Sequence, residues 1–264
     1  MNLPIPMPAP LPAQPSLLTV AADTAEAAIH LTAYGCAVLP DVFNHDELEQ
    51  LIQLLNRAEA TSTNFRRTKD LFAIRNLLGE IPDLQALLFT PKLQQLAAAL
   101  FPTTPHLTKA IYFDKPAQSN WLVAWHQDLM ISVNQRQEAP GFGPWTDKQG
   151  DVSVQPPRAV SENICTLRLH LDDCDASNGA LKVVLGSHRH GAILAQELPQ
   201  YTLHAVACPV PAGGVMLMKP LTLHASNRST SPRSRRVIHL EFSSLALPYG
   251  LQWREQLPLF STTV

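Results

Sequence analysis

Beyond Pro105 the chain becomes a succession of short runs rich in Val, Ile, Leu and aromatic residues, and this restricts its fold more than any other feature. The runs cover residues 109–115, 121–127, 164–171, 180–185, 203–207, 215–219 and 235–243, each bounded by turn formers. Runs of that length and texture predict strands. Asn178-Gly179 and Gly213-Gly214 mark tight turns between them. Ahead of Pro105 the pattern is helical. Residues 21–33 are rich in Ala and are followed by Gly35, which suits a short helix with a glycine stop. Residues 36–39 predict a strand. Asn44 is a good cap for a second helix, in which Leu48, Leu51, Ile52, Leu54 and Leu55 recur at helical spacing. Residues 82–101 are helical again, with an interruption at Pro91. Helices followed by a run of strands predict an α+β protein, an antiparallel sandwich or barrel with helices laid on one sheet.

A length of 264 residues suits one domain, over residues 21–264, behind a proline-rich flexible tail at 1–20. Prolines at 4, 6, 8, 10, 12 and 15 rule out the helical apolar segment of a signal peptide there. With 45% hydrophobic and 16% charged residues the chain has material for a packed core. A net charge of −2 gives no footprint for a phosphate backbone or an anionic membrane. No apolar run approaches the roughly 18–20 residues that cross a bilayer. The expected partner is therefore a small molecule, with neither nucleic acid nor membrane, while oligomeric state is not legible. Cys36, Cys165, Cys174 and Cys208 lack CxxC spacing and read as reduced thiols of a cytoplasmic protein. Residues 129–163 carry many Gly and Pro residues and little periodicity, the texture of an active-site lid, and Trp145 within them needs a place to bury.

The chemistry concentrates at His126-Gln127-Asp128, which follows the run beginning at Trp121. In a strand, residues i and i+2 share a face, so an imidazole and a carboxylate would converge. His224, after the run at 215–219, is the natural third ligand. Two histidines and one carboxylate occupy one face of an octahedron and leave positions open, the arrangement of non-haem Fe(II) oxygenases. A second H-x-D, His170-Leu171-Asp172, also follows a strand-like run, and spacing alone does not exclude it. Gly186-Ser187-His188 reads as a structural turn without a nucleophile–base pair.

The order and separation of several pieces carry a resemblance. They are Trp125-His126-Gln127-Asp128, then Asn178-Gly179-Ala180-Leu181 running into Leu185-Gly186-Ser187-His188, then His224-Ala225-Ser226-Asn227 running on to Arg235-Arg236. Together with the opening at residues 34–43, these resemble the phytanoyl-CoA dioxygenase family of iron(II) and 2-oxoglutarate oxygenases. The resemblance implies a double-stranded β-helix, or jelly-roll (cupin-like), core. It implies His126, Asp128 and His224 as iron(II) ligands, 2-oxoglutarate and O2 as co-substrates, and Arg235 on the distal carboxylate of 2-oxoglutarate with Ser226 and Gln127 beside it. A guanidinium is a fixed fork matched to a carboxylate and stays charged when buried. Arg236 competes for that role, but alternation puts Arg235, Val237, His239 and Glu241 on one face and Arg236, Ile238, Leu240 and Phe242 on the other. If the apolar face packs on helices, Arg235 points inward. Arg168 stands where many relatives place an aromatic residue near the co-substrate, and it joins His170, Trp145 and Arg75 as a pocket candidate. Arg75 belongs to a locally basic segment, 65–78, that could receive an anionic group of the substrate.

The activity implied is hydroxylation of an unactivated C–H bond with release of succinate and CO2. Halogenation is disfavoured, because halogenating relatives lack the carboxylate that Asp128 supplies. Two rivals remain at this level: a cupin-like metalloenzyme that does not use 2-oxoglutarate and needs no Arg235, and a non-catalytic jelly-roll binding protein. Substrate identity is not legible, since fold-level kinship does not choose among substrates.

Overall fold

The computed structural model of the chain describes residues 20–260 other than 60, 61, 70, 71, 118, 120 and 149. The proline-rich tail expected at 1–20 therefore lies, save Val20, outside the described residues. Helix α1 (Thr24–Tyr34) starts at Asp23, whose side chain accepts from the Glu26 N–H, and stops at Gly35, which is left-handed at φ 81°. Strand β1 (Cys36–Leu39) leads to α2 (His45–Arg57). A capping box starts α2: Asn44 Oδ1 accepts from the Glu47 N–H at 3.0 Å and Glu47 Oε2 from the Asn44 N–H at 2.7 Å. Strands β2 (Phe65–Arg67) and β3 (Phe72–Arg75) precede helices α3 (Leu77–Glu80), α4 (Leu84–Leu88) and α5 (Pro91–Ala99). The break before α5 falls at Thr90, which caps it, with Pro91 in the first turn where a missing N–H costs nothing.

The β region comprises β4 (His106–Lys115), β5 (Val123–His126), β6 (Ile131–Ser132), β7 (Trp145–Lys148) and β8 (Asp151–Val154). Helix α6 (Arg158–Glu162) separates these from β9 (Cys165–His170) and β10 (Leu181–Val184). After α7 (Leu198–Thr202) come β11 (Ala205–Cys208), β12 (Val215–Met218), β13 (His224–Ser226), β14 (Arg235–Ser243) and β15 (Leu257–Pro258). The large sheet runs β1-β12-β9-β14-β4-β3-β2, with β15 added to β4, and the smaller one runs β11-β10-β13-β5. All strand pairs are antiparallel.

Alternation along β9 and β14 decides which face meets what. Leu167, Leu169, Ile238, Leu240 and Phe242 join Leu48, Leu51, Leu84, Leu88, Leu93 and Leu96 of the helices in one core, so the helices cover the outer face of the large sheet. Its inner face meets the small sheet through a second core in which Cys36, Val38, Met216 and Met218 pack on Leu181, Val183 and Cys208. All four cysteines are buried and free. This is the α+β arrangement that the sequence pattern predicts and the jelly roll, with helices on the major sheet, that the resemblance implies. No helix among the described residues is long and apolar enough to cross a membrane.

Two segments depart from the sequence pattern. Residues 65–75 fall between the predicted helices in a segment read only as locally basic, and there β2 and β3 form a hairpin that extends the large sheet and stacks Phe72 edge-on against Tyr112, with ring centroids 6.0 Å apart. Their strands are too short for a period to show. Residues 129–163 build the three-stranded sheet β6-β8-β7 rather than an open loop. Ile131, Val152 and Val154 pack there on Leu247, Leu251 and Trp253, far along the chain, with Trp145 partly buried against them.

The C-terminal segment also contributes Glu255, buried beneath β4, where its Oε2 accepts the Ala110 N–H at 3.0 Å. Burial lifts its pKa to about 7, with the nearby Glu241 carboxylate adding to the rise and the Ala110 bond and Lys109 opposing it. The folded state thus holds a proton that the unfolded chain releases above its ordinary value of 4.5, so stability falls as pH rises from there toward 7. At ~1.4 kcal/mol per pH unit the loss is on the order of 3 kcal/mol. Glu255→Gln, which keeps an acceptor for Ala110, is expected to recover most of it at pH 8 and little at pH 4. Denaturant unfolding at both pH values checks this, and an equal shift at the two would contradict it.

Candidate metal centre

His126 ends β5 and His224 begins β13, and the register pairs the two directly across the ladder. Their imidazoles lie with ring centroids 4.2 Å apart. Beyond β5 the chain is turned by a bond from the Asp128 N–H to Pro220 O at 2.9 Å. This brings Asp128 Oδ1 to 3.7 Å from His126 Nε2 and Oδ2 to 3.8 Å from His224 Nε2. One ligating atom from each residue lies within 4.8 Å of the others, the only such group of three His, Cys, Asp or Glu side chains among the described residues.

The backbone sets the tautomers. His126 Nδ1 lies 2.8 Å from Ala124 O and His224 Nδ1 2.8 Å from Thr222 O. A carbonyl only accepts, so each Nδ1 carries a proton and each Nε2 faces Asp128. Burial draws the His224 pKa down to about 4 against the pull of Asp128, leaving that ring neutral at pH 7. Two imidazole Nε2 atoms and a carboxylate converging within 4.8 Å fit a divalent cation and leave part of its coordination sphere free.

Gly35 supports this geometry from outside. Its carbonyl accepts from Thr222 Oγ1 at 2.8 Å, and Thr222 in turn holds the His224 ring. A Cβ at Gly35 would collide with His188 Nδ1 and with Thr222 Oγ1, on a backbone already at φ +81°. Gly35→Ala is expected to lose about 2–4 kcal/mol of stability. Because Thr222 must shift, metal affinity should fall as well, by about tenfold. A metal titration of the folded variant that matches wild type would separate the two effects and contradict the second.

The three side chains open into a cavity of about 170 Å³ whose wall also includes Arg168, Ser226, Arg235, His239 and Trp121. Arg235 is 3% exposed. Its Nη1 donates to Gly179 O, a carbonyl that also accepts from Ser226 Oγ at 2.8 Å, and its Nε is buried without a partner. Gly179 has φ +85°, and a Cβ there would come within 2.9 Å of Lys115 Nζ and 2.8 Å of Asn227 O, so the Asn-Gly turn needs glycine for close approach as well as for conformation. Arg236 turns the other way and makes a two-point contact with Asp172, at 2.6 and 2.9 Å. That contact also removes the second H-x-D from consideration, because β9 ends at His170 and Asp172 faces Arg236 instead of converging with the imidazole.

Four sequence candidates are placed elsewhere. Gln127, expected beside 2-oxoglutarate, instead braces the loops behind the strand: its Nε2 donates to Gly191 O and Leu221 O at 2.7 and 2.6 Å, and its Oε1 accepts from the Ile193 N–H. Gln127 lies one residue beyond β5, and these loop contacts occupy its amide. His170 is buried with neither ring nitrogen partnered, but it does not line the cavity. Trp145 packs on the three-stranded sheet. Arg75 pairs with Asp151 at 3.1 Å and lines a separate surface cleft with Arg66 and Lys148. Trp121 and His239 also line the cavity, and Lys109 and Glu241 stand behind His239. In the structure His239 Nε2 meets Glu241 at 3.1 Å, Glu241 meets Lys109 at 2.9 Å, and His239 Nδ1 meets Arg168 at 3.0 Å. The alternation of β14 placed His239 and Glu241 on the inner face, which was the available signal.

Facing antiparallel sheets with two histidines and a carboxylate between them define a mononuclear non-haem metal protein of the jelly-roll class. The profile of the phytanoyl-CoA dioxygenase family (PhyH) matches residues 31–237, and the chain belongs to that family. It is an iron- and 2-oxoglutarate-dependent enzyme. Among curated proteins none matches the chain. Solved structures share the fold. The α-ketoglutarate-dependent carbocyclase SnoK of nogalamycin biosynthesis has a TM-score of 0.64 at 17% identity, over 88% of this chain and 87% of that one. The epimerase SnoN, solved with Fe3+, α-ketoglutarate and nogalamycin RO, has a TM-score of 0.62 at 16% identity, over 90% and 96%. HygX from Streptomyces hygroscopicus, with nickel and 2-oxoglutarate bound, has a TM-score of 0.61 at 16% identity, over 84% and 87%.

Proposed function

We propose that this enzyme hydroxylates an unactivated C–H bond of a small organic substrate, with release of succinate and CO2. In this reading His126, Asp128 and His224 hold iron(II), and Arg235 with Ser226 grips the distal carboxylate of 2-oxoglutarate. The observation that carries it is one cavity in which three convergent ligands share a wall with a buried arginine that has an unused N–H. When bound, iron and 2-oxoglutarate supply the oxidising power by coupling decarboxylation to the activation of O2.

The chain's own residues do the rest. The carbonyls of Ala124 and Thr222 fix the imidazoles so that no reorientation is needed on metal binding. Arg235, held by Gly179 O, supplies a fixed positive fork at the far end. Phe113, Trp121, Val123 and Leu181 line the cavity with apolar surface beside the ligands. SnoN and HygX, solved with a metal and the keto acid, are consistent with this assignment on the shared fold.

Incubation with 2-oxoglutarate, Fe(II) and air is expected to release succinate. With the right member of a substrate panel it should also give a product heavier by one oxygen atom. Absence of Fe(II)-dependent succinate would remove the whole reading, and a coupled product of unchanged mass would replace hydroxylation with rearrangement.

A further inference from the structure

Arg168 is a charge that the function above leaves uncompensated. It sits on β9, in register with His239 on one side and Met216 on the other, is only 8% exposed, and lines the metal cavity. Its Nε is buried without a partner, and its Nη1 meets His239 Nδ1 at 3.0 Å. An arginine only donates, so Nδ1 accepts and the ring is a neutral partner. Through its other nitrogen that ring donates to Glu241, whose charge is already matched by Lys109 at 2.9 Å. The chain Arg168–His239–Glu241–Lys109 therefore fixes the guanidinium in place without neutralising it.

The remaining charges balance without Arg168. A divalent cation and Arg235 together match Asp128 and a dianionic keto acid. Lys115 has its own accommodation: Nζ donates to Asn227 O at 2.5 Å and lies 5.9 Å from the face of Trp121. Burial also lowers its pKa to about 8, with Arg235 adding to the fall, so it can shed its proton. Arg168 has no such outlet. Burial, with Arg235 nearby, brings its pKa down only to about 10, and it stays charged at neutral pH. A buried guanidinium with a free N–H and no anion is costly unless a ligand supplies the anion.

We propose that Arg168 is a second carboxylate-binding residue of this cavity, receiving an acid group at a point separate from Arg235. The inference rests on the function proposed above. Because both charges of 2-oxoglutarate are already matched, the charge balance points to a carboxylate of the substrate itself, and binding to the metal-side carboxylate of 2-oxoglutarate is the other outcome that the titrations distinguish.

The test is a set of titrations of the Fe(II)-loaded protein kept free of oxygen, read by tryptophan fluorescence, since Trp121 lines the cavity. The ligands are 2-oxoglutarate in one arm, and short monocarboxylic acids with their primary amides in the other. Arg168→Met is expected to weaken a carboxylate ligand by at least about tenfold while leaving the amides unchanged, and Arg168→Lys to recover part of the loss. Arg168→Gln should behave as Arg168→Met and serves if the latter fails to fold. Weakening confined to 2-oxoglutarate assigns the residue to the co-substrate, and weakening confined to the acids makes the substrate a carboxylic acid. Folded Met and Gln variants that titrate like wild type in both arms overturn the proposal, as does a wild-type protein that binds no carboxylate in preference to its amide. If wild type binds acids over amides but fails to bind 2-oxoglutarate, the proposed function falls and the acid arm still decides Arg168.

Discussion

Replacement of His224 by alanine is expected to lower iron(II) affinity by more than about 100-fold and to abolish succinate formation. The magnitude follows from position. Loss of a residue that merely orients a ligand costs about 10–100-fold in metal affinity or activity, so loss of the ligand itself must exceed that range. His224 should also matter more than His126, because its side chain is 5% exposed against 40%. Water can reach the His126 position and stand in as a ligand, whereas deletion of the buried ring leaves a void and strips Thr222 O of its donor. Iron retained per protein after dialysis, measured beside succinate yield for both alanine variants, gives the ranking. Full iron occupancy in His224→Ala would mean that the metal sits elsewhere.

The second large effect concerns Arg235. Arg235→Leu is expected to raise the KM for 2-oxoglutarate by about 100-fold or more, since removal of one partner of a buried, hydrogen-bonded charge pair costs about 2–5 kcal/mol. Arg235→Lys keeps the charge but loses the fork and should recover only part of the loss. The informative control is Arg236→Leu. That guanidinium is spent on Asp172 at a half-buried site, so its removal should cost about 1 kcal/mol of stability and leave the KM unchanged. A raised KM for 2-oxoglutarate in Arg236→Leu, with Arg235→Leu unaffected, would reverse the assignment of the two faces of β14.

Where the sequence was readable, local periodicity and the fold's demands coincided. Leu48, Leu51 and Leu55 repeat at helical spacing because one helix face meets one sheet, and they are buried in the structure. Arg235 and Arg236 could be told apart because β14 alternates over nine residues, long enough for the apolar side to declare itself. Gln127 is not legible as a brace because its partners, Gly191 O and Leu221 O, lie 64 and 94 residues away along the chain. The sheet β6-β8-β7 was hidden because its core is closed by Leu247, Leu251 and Trp253, nearly a hundred residues further along the chain. Lys109, Glu241, His239 and Arg168 come from three strands, and only the pairing of those strands links them into one chain of contacts.

The direct pairing of His126 with His224 has a mechanical consequence. Among the described residues β5 is the outermost strand of its sheet, paired with β13 alone and with an irregular register between them. Any ion gripped by both imidazoles rivets that border to the body of the molecule, adding to folding stability whatever affinity it has for the native state. Chelation would therefore unfasten the rim before the interior, baring amides that invite another chain to dock edge to edge.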